Sequence, residues 1–135
     1  MSAETSTIAV SKGMLWTGRI MSAIPILLTA FASVLKLINS PSVVEGTVRL
    51  GYSQALIRPV GAIEMACIIV YAIPRTSVLG AILFTGLFGG ATATLVRVGD
   101  PSFPFPIILG MMVWGGLFFR DPRVRALIPL RSPAE

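Results

Sequence analysis

The chain contains no histidine and a single cysteine, Cys67, among its 135 residues. Without histidine, bis-histidine haem ligation and histidine-based zinc sites are excluded. A lone thiol cannot form an intramolecular dithiol centre, and inside an apolar run it is usually a small packing residue. We therefore expect no metal site, and these absences restrict the possible chemistry more than any single motif does.

Charged residues are also scarce, at 13% of the chain, whereas hydrophobic residues make up 54%. A soluble domain has roughly 25% charged residues, so this chain lacks the polar surface that a water-soluble fold of its size needs. The sequence therefore predicts an integral membrane protein. Its 135 residues accommodate one domain and leave no room for a separate catalytic domain.

Four apolar runs occupy most of the sequence, at 15–38, 55–73, 76–97 and 103–119. A bilayer core needs roughly 20 apolar residues per helix, so the first three runs are long enough to span it and the fourth is marginal. We predict an all-α fold, a transmembrane four-helix bundle forming a single domain over 1–135, with a mobile N-terminus at 1–13 and a basic C-terminal tail at 120–135. Arg19 and the continuation of the first run to Ile38 favour a retained span over a cleaved signal peptide.

A short amphipathic segment lies between the first two runs, at 41–49. Val44 and its apolar neighbours alternate there with the polar residues Glu45 and Arg49. Ser40 is placed to act as the N-cap, with proline at the first helical position. This pattern predicts a helix that lies in the plane of the membrane interface.

Basic residues are distributed unequally between the two sides that four spans would define. Seven lie on the side of both termini, namely Lys12, Arg19, Arg75, Arg120, Arg123, Arg125 and Arg131, and four lie on the other, namely Lys36, Arg49, Arg58 and Arg97. Because loops rich in lysine and arginine stay in the cytoplasm, we predict that both termini are cytoplasmic. The net charge of +5 then reflects topology and lipid head-group contact, and we expect no nucleic-acid partner.

Two further patterns concern packing. The third run is rich in small residues, which include Gly80, Gly86, Gly89 and Gly90. Such residues are typical of close helix contacts in membranes, so we expect this helix to be the most buried and Gly90→Leu to force helices apart. Aromatic residues near the cytoplasmic face are expected to form an interfacial belt; they are Trp16, Tyr71, Trp114 and Phe118.

Glu64 is the strongest candidate for a functional residue. It lies within the second apolar run, and a carboxylate inside a span normally faces the bundle interior beside a partner. Two basic residues are candidate partners, Lys36 at the end of the first run and Arg97 at the end of the third.

These residues predict a polar ligand pocket in the outer half of the bundle, built from Lys36, Glu64 and Arg97 and closed by Tyr52 and Asp100. The alternative is a structural ion pair with cations that extend to the interface. For Lys36 alone, extension to the interface is the favoured interpretation. For Glu64, a paired position in the interior is favoured.

Several motifs resemble the small four-helix DoxX-like membrane proteins of bacteria. They are Lys36-Leu37, Arg49-Leu50-Gly51-Tyr52, Glu64, the stretch from Ile73-Pro74-Arg75 to Gly80-Ala81, Gly89-Gly90-Ala91-Thr92-Ala93-Thr94, Arg97-Val98-Gly99-Asp100-Pro101, Trp114-Gly115-Gly116 and Arg120-Asp121-Pro122-Arg123. The resemblance runs from about Arg19 to Arg131 and implies a multi-pass protein of the bacterial inner (plasma) membrane. Relatives often carry a histidine two residues before the arginine that follows the Gly-Gly-Ala stretch. Here that residue is Leu95, so a role that needs the imidazole does not carry over.

The family name implies a link to quinone-reducing thiosulfate oxidation, and some members resemble components of redox-stress complexes. We therefore expect a protein that binds an amphiphilic molecule, a quinone or a lipid, in the outer-half pocket. Quinone is the one candidate cofactor, and the expected partners are the lipid bilayer and subunits of a membrane oxidoreductase. Two alternatives stay open, a scaffold without a ligand and an enzyme, for example an isomerase, that uses Glu64 as acid or base. Assembly into a homo-oligomer is also open.

Overall fold

A computed structural model describes residues 11–128 and 130 of the chain. In this part every regular element is helical: α1 (Lys12–Leu37), α2 (Pro41–Arg49), α3 (Ile57–Ala72), α4 (Ser77–Arg97), α5 (Pro104–Arg120) and α6 (Pro122–Arg125). One-turn 3-10 helices precede α3 and α4, at Gln54–Leu56 and Pro74–Thr76. The predicted all-α class is thereby confirmed. Of the predicted terminal segments, residues 1–10, 129 and 131–135 lie outside the described residues.

The four long helices form an antiparallel bundle in which each packs against two neighbours. Helix α1 contacts α3 and α5, and α4 contacts the same two helices. Short connections from α3 to α4 and from α4 to α5 favour this arrangement because helices joined by few residues pack as antiparallel neighbours. The end of α1, the start of α3 and the end of α4 therefore lie at the same end of the bundle. We call this end, which also carries α2, the outer end, after the predicted topology.

Helix α1 ends in a backbone motif that fixes the start of the next segment. Asn39 has a left-handed φ of 55°, its amide donates to the Lys36 carbonyl at 3.1 Å, and the Ser40 amide donates to the Leu35 carbonyl at 2.9 Å. These are the two hydrogen bonds of a Schellman motif. Helix α4 ends in a left-handed residue as well, Gly99 with a φ of 73°. Both turns hold the connections at the outer end close to the bundle.

Helix α1 buries its small and polar residues and exposes its large apolar ones, which is the reverse of an amphipathic helix in a soluble protein. Its buried residues are Gly18, Ser22, Pro25, Thr29 and Ser33, and its exposed residues include Ile20, Ile24, Leu27, Leu28, Phe31 and Val34. A helix that faces water presents its polar side outward. Apolar residues on the outside suit hydrocarbon, and small or polar residues between helices allow close packing and hydrogen bonds. The surface of α1 is therefore a membrane-facing surface.

Helix length agrees with membrane insertion for three segments. Lys12–Leu37, Gln54–Ala72 and Pro74–Arg97 are long and apolar enough to cross a bilayer, whereas Pro104–Arg120 has 17 residues. At 1.5 Å per residue α5 is roughly 25 Å long, a few ångströms short of the roughly 30 Å hydrocarbon core. Such a mismatch is accommodated by local thinning of the bilayer. Three segments thus meet the length of a span, and the fourth span stays a prediction.

Tyr71 lies at the centre of the contacts among α1, α3 and α5. It is 1% exposed, its hydroxyl donates to the Val113 carbonyl at 2.7 Å, and it accepts from the Ser22 hydroxyl at 2.8 Å. Its ring packs edge-on against Phe84, with centroids 5.6 Å apart. The prediction that Tyr71 belongs to an aromatic belt is wrong, because its hydroxyl is satisfied inside the bundle rather than at the interface. Trp16, by contrast, is exposed.

Removing the Tyr71 hydroxyl is expected to destabilise the bundle. In Tyr71→Phe the buried Ser22 hydroxyl and Val113 carbonyl lose a partner, which costs about 1–3 kcal/mol. Tyr52→Phe is the matched control, since Tyr52 is exposed and its partner Thr94 keeps a hydrogen bond within its own helix. Thermal unfolding in a mild detergent compares the two variants, and equal melting temperatures would contradict the central role of Tyr71.

Helix α4 is not the most buried helix, contrary to the prediction. Taken with the 3-10 turn before it, α4 has 28% of its most apolar 18-residue stretch buried. The corresponding stretch of α3 with its own 3-10 turn is 33% buried. A Cβ at Gly80 would collide with the backbone of Tyr71, but a Cβ at Gly86, Gly89 or Gly90 meets nothing within 4 Å. The expectation that Gly90→Leu forces helices apart is therefore wrong. Small residues favour close contact only on the side of a helix that has a neighbour, and composition does not specify that side.

Candidate functional site

Glu64 and Lys36 form an ion pair between α3 and α1. The Lys36 Nζ donates to the Glu64 Oε1 at 2.6 Å. The Lys36 side chain is 19% exposed and the Glu64 side chain 10%. Lys36 is thus the partner of Glu64, and Arg97, the other candidate, is not. A buried charge needs such a partner because the bundle interior solvates it poorly.

The direction of the helices explains why Lys36 turns inward. Cα–Cβ bonds in a helix tilt toward its N-terminus. Lys36 lies at the end of α1, so its side chain leans back toward the middle of the bundle, and Glu64 on the antiparallel α3 leans the opposite way. Glu64 lies roughly 10 Å along α3 from Ile57 at 1.5 Å per residue, near the middle of that helix. The interpretation that Lys36 extends to the interface is therefore wrong.

Close packing of α1 on α3 holds the ion pair in register. The Ser33 hydroxyl donates to the Gly61 carbonyl at 2.7 Å. A Cβ at Gly61 would lie 2.9 Å from the Lys36 Cβ and 3.1 Å from the Ser33 carbonyl oxygen, so glycine is what allows this approach. Sequence reasoning missed Ser33 and Gly61. The signal was the helical spacing of Ser22, Thr29 and Ser33 on one face of an otherwise apolar helix.

Glu64 keeps one carboxylate oxygen without a partner. Its Oε2 is enclosed and has no hydrogen-bond donor among the described residues. The Thr29 hydroxyl is enclosed as well and has no hydrogen-bond partner among them. Because Ser33 meets Gly61 on antiparallel helices, one further turn along each places Thr29 level with Glu64. A buried polar group left unpaired costs about 1–3 kcal/mol. This corner between α1 and α3 can therefore accept a hydrogen bond at Oε2 and exchange another with Thr29.

Two other predicted ligand residues fasten a loop instead of joining the ion pair. The Tyr52 hydroxyl shares a hydrogen bond with the Thr94 hydroxyl at 2.6 Å. The Arg97 Nη2 donates to the Leu50 carbonyl at 2.8 Å. These contacts connect the segment after α2 to the end of α4. The predicted grouping of Lys36, Glu64 and Arg97 does not form. Arg97 is the last residue of α4, and its side chain binds the loop instead.

Asp100, the fifth predicted residue, caps the turn after α4. Its Oδ1 accepts from the Ser102 hydroxyl at 2.7 Å and from the Ser102 backbone N–H at 2.8 Å. These hydrogen bonds hold the pKa of Asp100 below its usual range, since they favour the ionised carboxylate. Leu95, at the position where relatives often carry histidine, is half-buried on α4. The five predicted residues thus divide into one buried ion pair and three residues at the outer end.

Two cavities lie away from the ion pair. A cavity of about 330 Å³ is a groove between α4 and α5 whose lining includes Phe88, Gly89, Met111 and Trp114. A cavity of about 390 Å³ at the outer end is lined by Asn39, Gln54, Ala55 and Arg58. Neither is lined by Lys36 or Glu64, so the centre of the predicted pocket is a closed ion pair.

Comparison with known protein families gives one result. The sequence model of the DoxX-like family matches residues 20–116, which is more than two thirds of the chain. The match extends from α1 to α5 and includes all five predicted ligand residues. Comparisons with curated proteins and with solved structures find no match.

Proposed function

The chain belongs to the DoxX-like family, and we propose that this membrane protein binds an amphiphilic molecule, a quinone or a lipid, with its polar head group beside Glu64. The observation that carries the proposal is the enclosed Glu64 Oε2, which has no donor among the described residues. A hydroxyl of a quinol or of a lipid head group would supply that donor. The apolar surroundings of the pair suit the hydrocarbon part of such a molecule.

The ligand must create its own space. Since the ion pair lines neither cavity, the head group enters when the Lys36 side chain moves aside or when α1 and α3 separate locally. Lys36 is suited to this movement, because its long stem can carry the ammonium group to the interface. A ligand carbonyl then accepts a hydrogen bond from Thr29, and Glu64 accepts one from the ligand hydroxyl.

The bound molecule is expected to depend on Glu64. Native mass spectrometry of protein purified in a mild detergent, followed by identification of extracted quinones and lipids, should detect it in the wild type. In Glu64→Gln we expect about tenfold less, because a hydrogen bond to a charged group is lost. Glu45→Gln is the control, since Glu45 is an exposed carboxylate on α2. Thr29→Val leaves the ion pair intact and is expected to reduce the same signal.

Undiminished retention in both Glu64→Gln and Thr29→Val would exclude this site and favour the second candidate, a scaffold. The ion pair and the Ser33–Gly61 hydrogen bond both fix α1 on α3, which is what a scaffold requires. A catalytic use of Glu64 would be recognised by turnover in the purified protein.

We further propose that the protein lies in the bacterial inner membrane with both termini in the cytoplasm. There it serves as an accessory subunit of a membrane oxidoreductase. The asymmetry of basic residues supports this orientation. A quinone bound beside Glu64 would link this protein functionally to such an oxidoreductase.

A further inference from the structure

We propose that the outer-end cavity lined by Asn39, Gln54, Ala55 and Arg58 binds a phosphate group, carried by a phospholipid head group or free in solution. This site is separate from Glu64 and does not depend on the function proposed above. It is an open hollow of about 390 Å³, and three of its four lining residues, Gln54, Ala55 and Arg58, are exposed. The cavity therefore has room for a phosphate and part of the group that carries it.

The polar side chains around this cavity can all donate hydrogen bonds. Arg58 and Gln54 carry N–H groups, and Asn39 carries a side-chain amide whose Oδ1 is enclosed without a partner among the described residues. No carboxylate lines the cavity, and within residues 11–128 and 130 no acidic side chain lies within 4.0 Å of Arg58 to form an ion pair. A set of donors with an unpaired positive charge favours an anion with several acceptor oxygens. Arginine binds phosphate through two parallel hydrogen bonds.

The backbone holds these polar side chains in place. Asn39 is fixed by the Schellman motif at the end of α1. Gln54 begins the 3-10 turn that leads into α3, and Arg58 is the second residue of α3. The Ser53 hydroxyl accepts from the Ala55 backbone N–H at 3.3 Å and so caps this helical start, which leaves the Arg58 guanidinium as the positive charge at the cavity.

The position of the cavity along the bundle agrees with a lipid phosphate. The apolar segment Gln54–Ala72 begins at the cavity, and α1 ends there. Residues at the end of an apolar segment lie at the level of the head groups. A phospholipid that packs against α1 or α3 therefore carries its phosphate at the depth of Arg58.

Binding is tested on the full chain in a mild detergent with two probes, short-chain phosphatidylglycerol and sodium phosphate, by native mass spectrometry and by competition between them. In Arg58→Gln we expect the affinity for the bound probe to fall about tenfold, because a charge-assisted hydrogen bond is lost. Arg49→Gln is the matched control, since Arg49 is an exposed arginine at the outer end that does not line the cavity. It is expected to bind like the wild type.

A second variant separates the cavity from the general charge of the outer end. Ala55→Phe fills the cavity and leaves every charge in place, and we expect it to weaken binding as Arg58→Gln does. Lipid binding that sodium phosphate does not displace assigns the site to a head group, and displacement assigns it to free phosphate. Equal losses in Arg49→Gln and Arg58→Gln, undiminished binding in Ala55→Phe, or no binding of either probe would each overturn the proposal.

Discussion

Replacing Lys36 with methionine is expected to destabilise the bundle by about 3–5 kcal/mol, the usual cost of leaving one member of a buried ion pair unpaired. Methionine keeps most of the apolar stem and removes the charge. The Glu64 carboxylate then has neither its donor at Oε1 nor a donor at Oε2. Thermal unfolding in a mild detergent at neutral pH measures the loss.

Adding Glu64→Gln to Lys36→Met is expected to recover part of that loss, because the unpaired charge is removed. The double variant should therefore be more stable than Lys36→Met alone. Arg97→Ala is the control background. Its guanidinium binds the Leu50 carbonyl, so Glu64→Gln should bring no recovery there. Recovery in the Arg97→Ala background and not in the Lys36→Met background would contradict the ion pair described here.

Alanine substitutions at two glycines of α4 are expected to have opposite signs. At Gly80 an added Cβ would collide with the backbone N and Cα of Tyr71. Backbone atoms cannot move aside as a flexible side chain can, so Gly80→Ala should cost about 1–3 kcal/mol through overpacking. At Gly90 a Cβ meets nothing within 4 Å, and Gly90→Ala should stabilise the helix by about 0.5–1 kcal/mol.

The two variants test which face of α4 is packed. Both replace glycine with the same residue inside the same helix, so the intrinsic helix propensity changes equally and cancels in the comparison. Unfolding by heat in the same detergent should give a lower midpoint for Gly80→Ala and a higher one for Gly90→Ala. A lowered midpoint for both would mean that the side of α4 that carries Gly90 has a neighbour, such as a second copy of the chain.

The helical class and the location of the helices could be predicted because both depend on local patterns. Apolar runs that end at proline, glycine and charged residues place the helices, and their scarcity of charge indicates a membrane environment. The amphipathic segment is an example: Pro41–Arg49 forms α2 as predicted. The buried position of Glu64 was also readable, since a carboxylate inside an apolar run has to face the interior.

Pairing between helices could not be read in the same way. Lys36 and Arg97 both end a helix near the same face, and the sequence does not distinguish them as partners of Glu64. The neighbour that each side chain contacts distinguishes them in the bundle. Lys36 leans toward the middle of the bundle along α1 and reaches Glu64, whereas Arg97 binds the loop after α2.

By itself the sequence determined that this chain is an all-helical membrane protein of the DoxX-like family with one buried carboxylate. Only the tertiary structure decided that Lys36 is its partner, that Tyr71 lies inside the bundle, and that Gly80 is packed while Gly90 is not. The physical reason is that hydrophobicity and helix ends are properties of consecutive residues. Which face of a helix meets which neighbour depends on residues far apart in the chain, because helix rotation and register are set by packing.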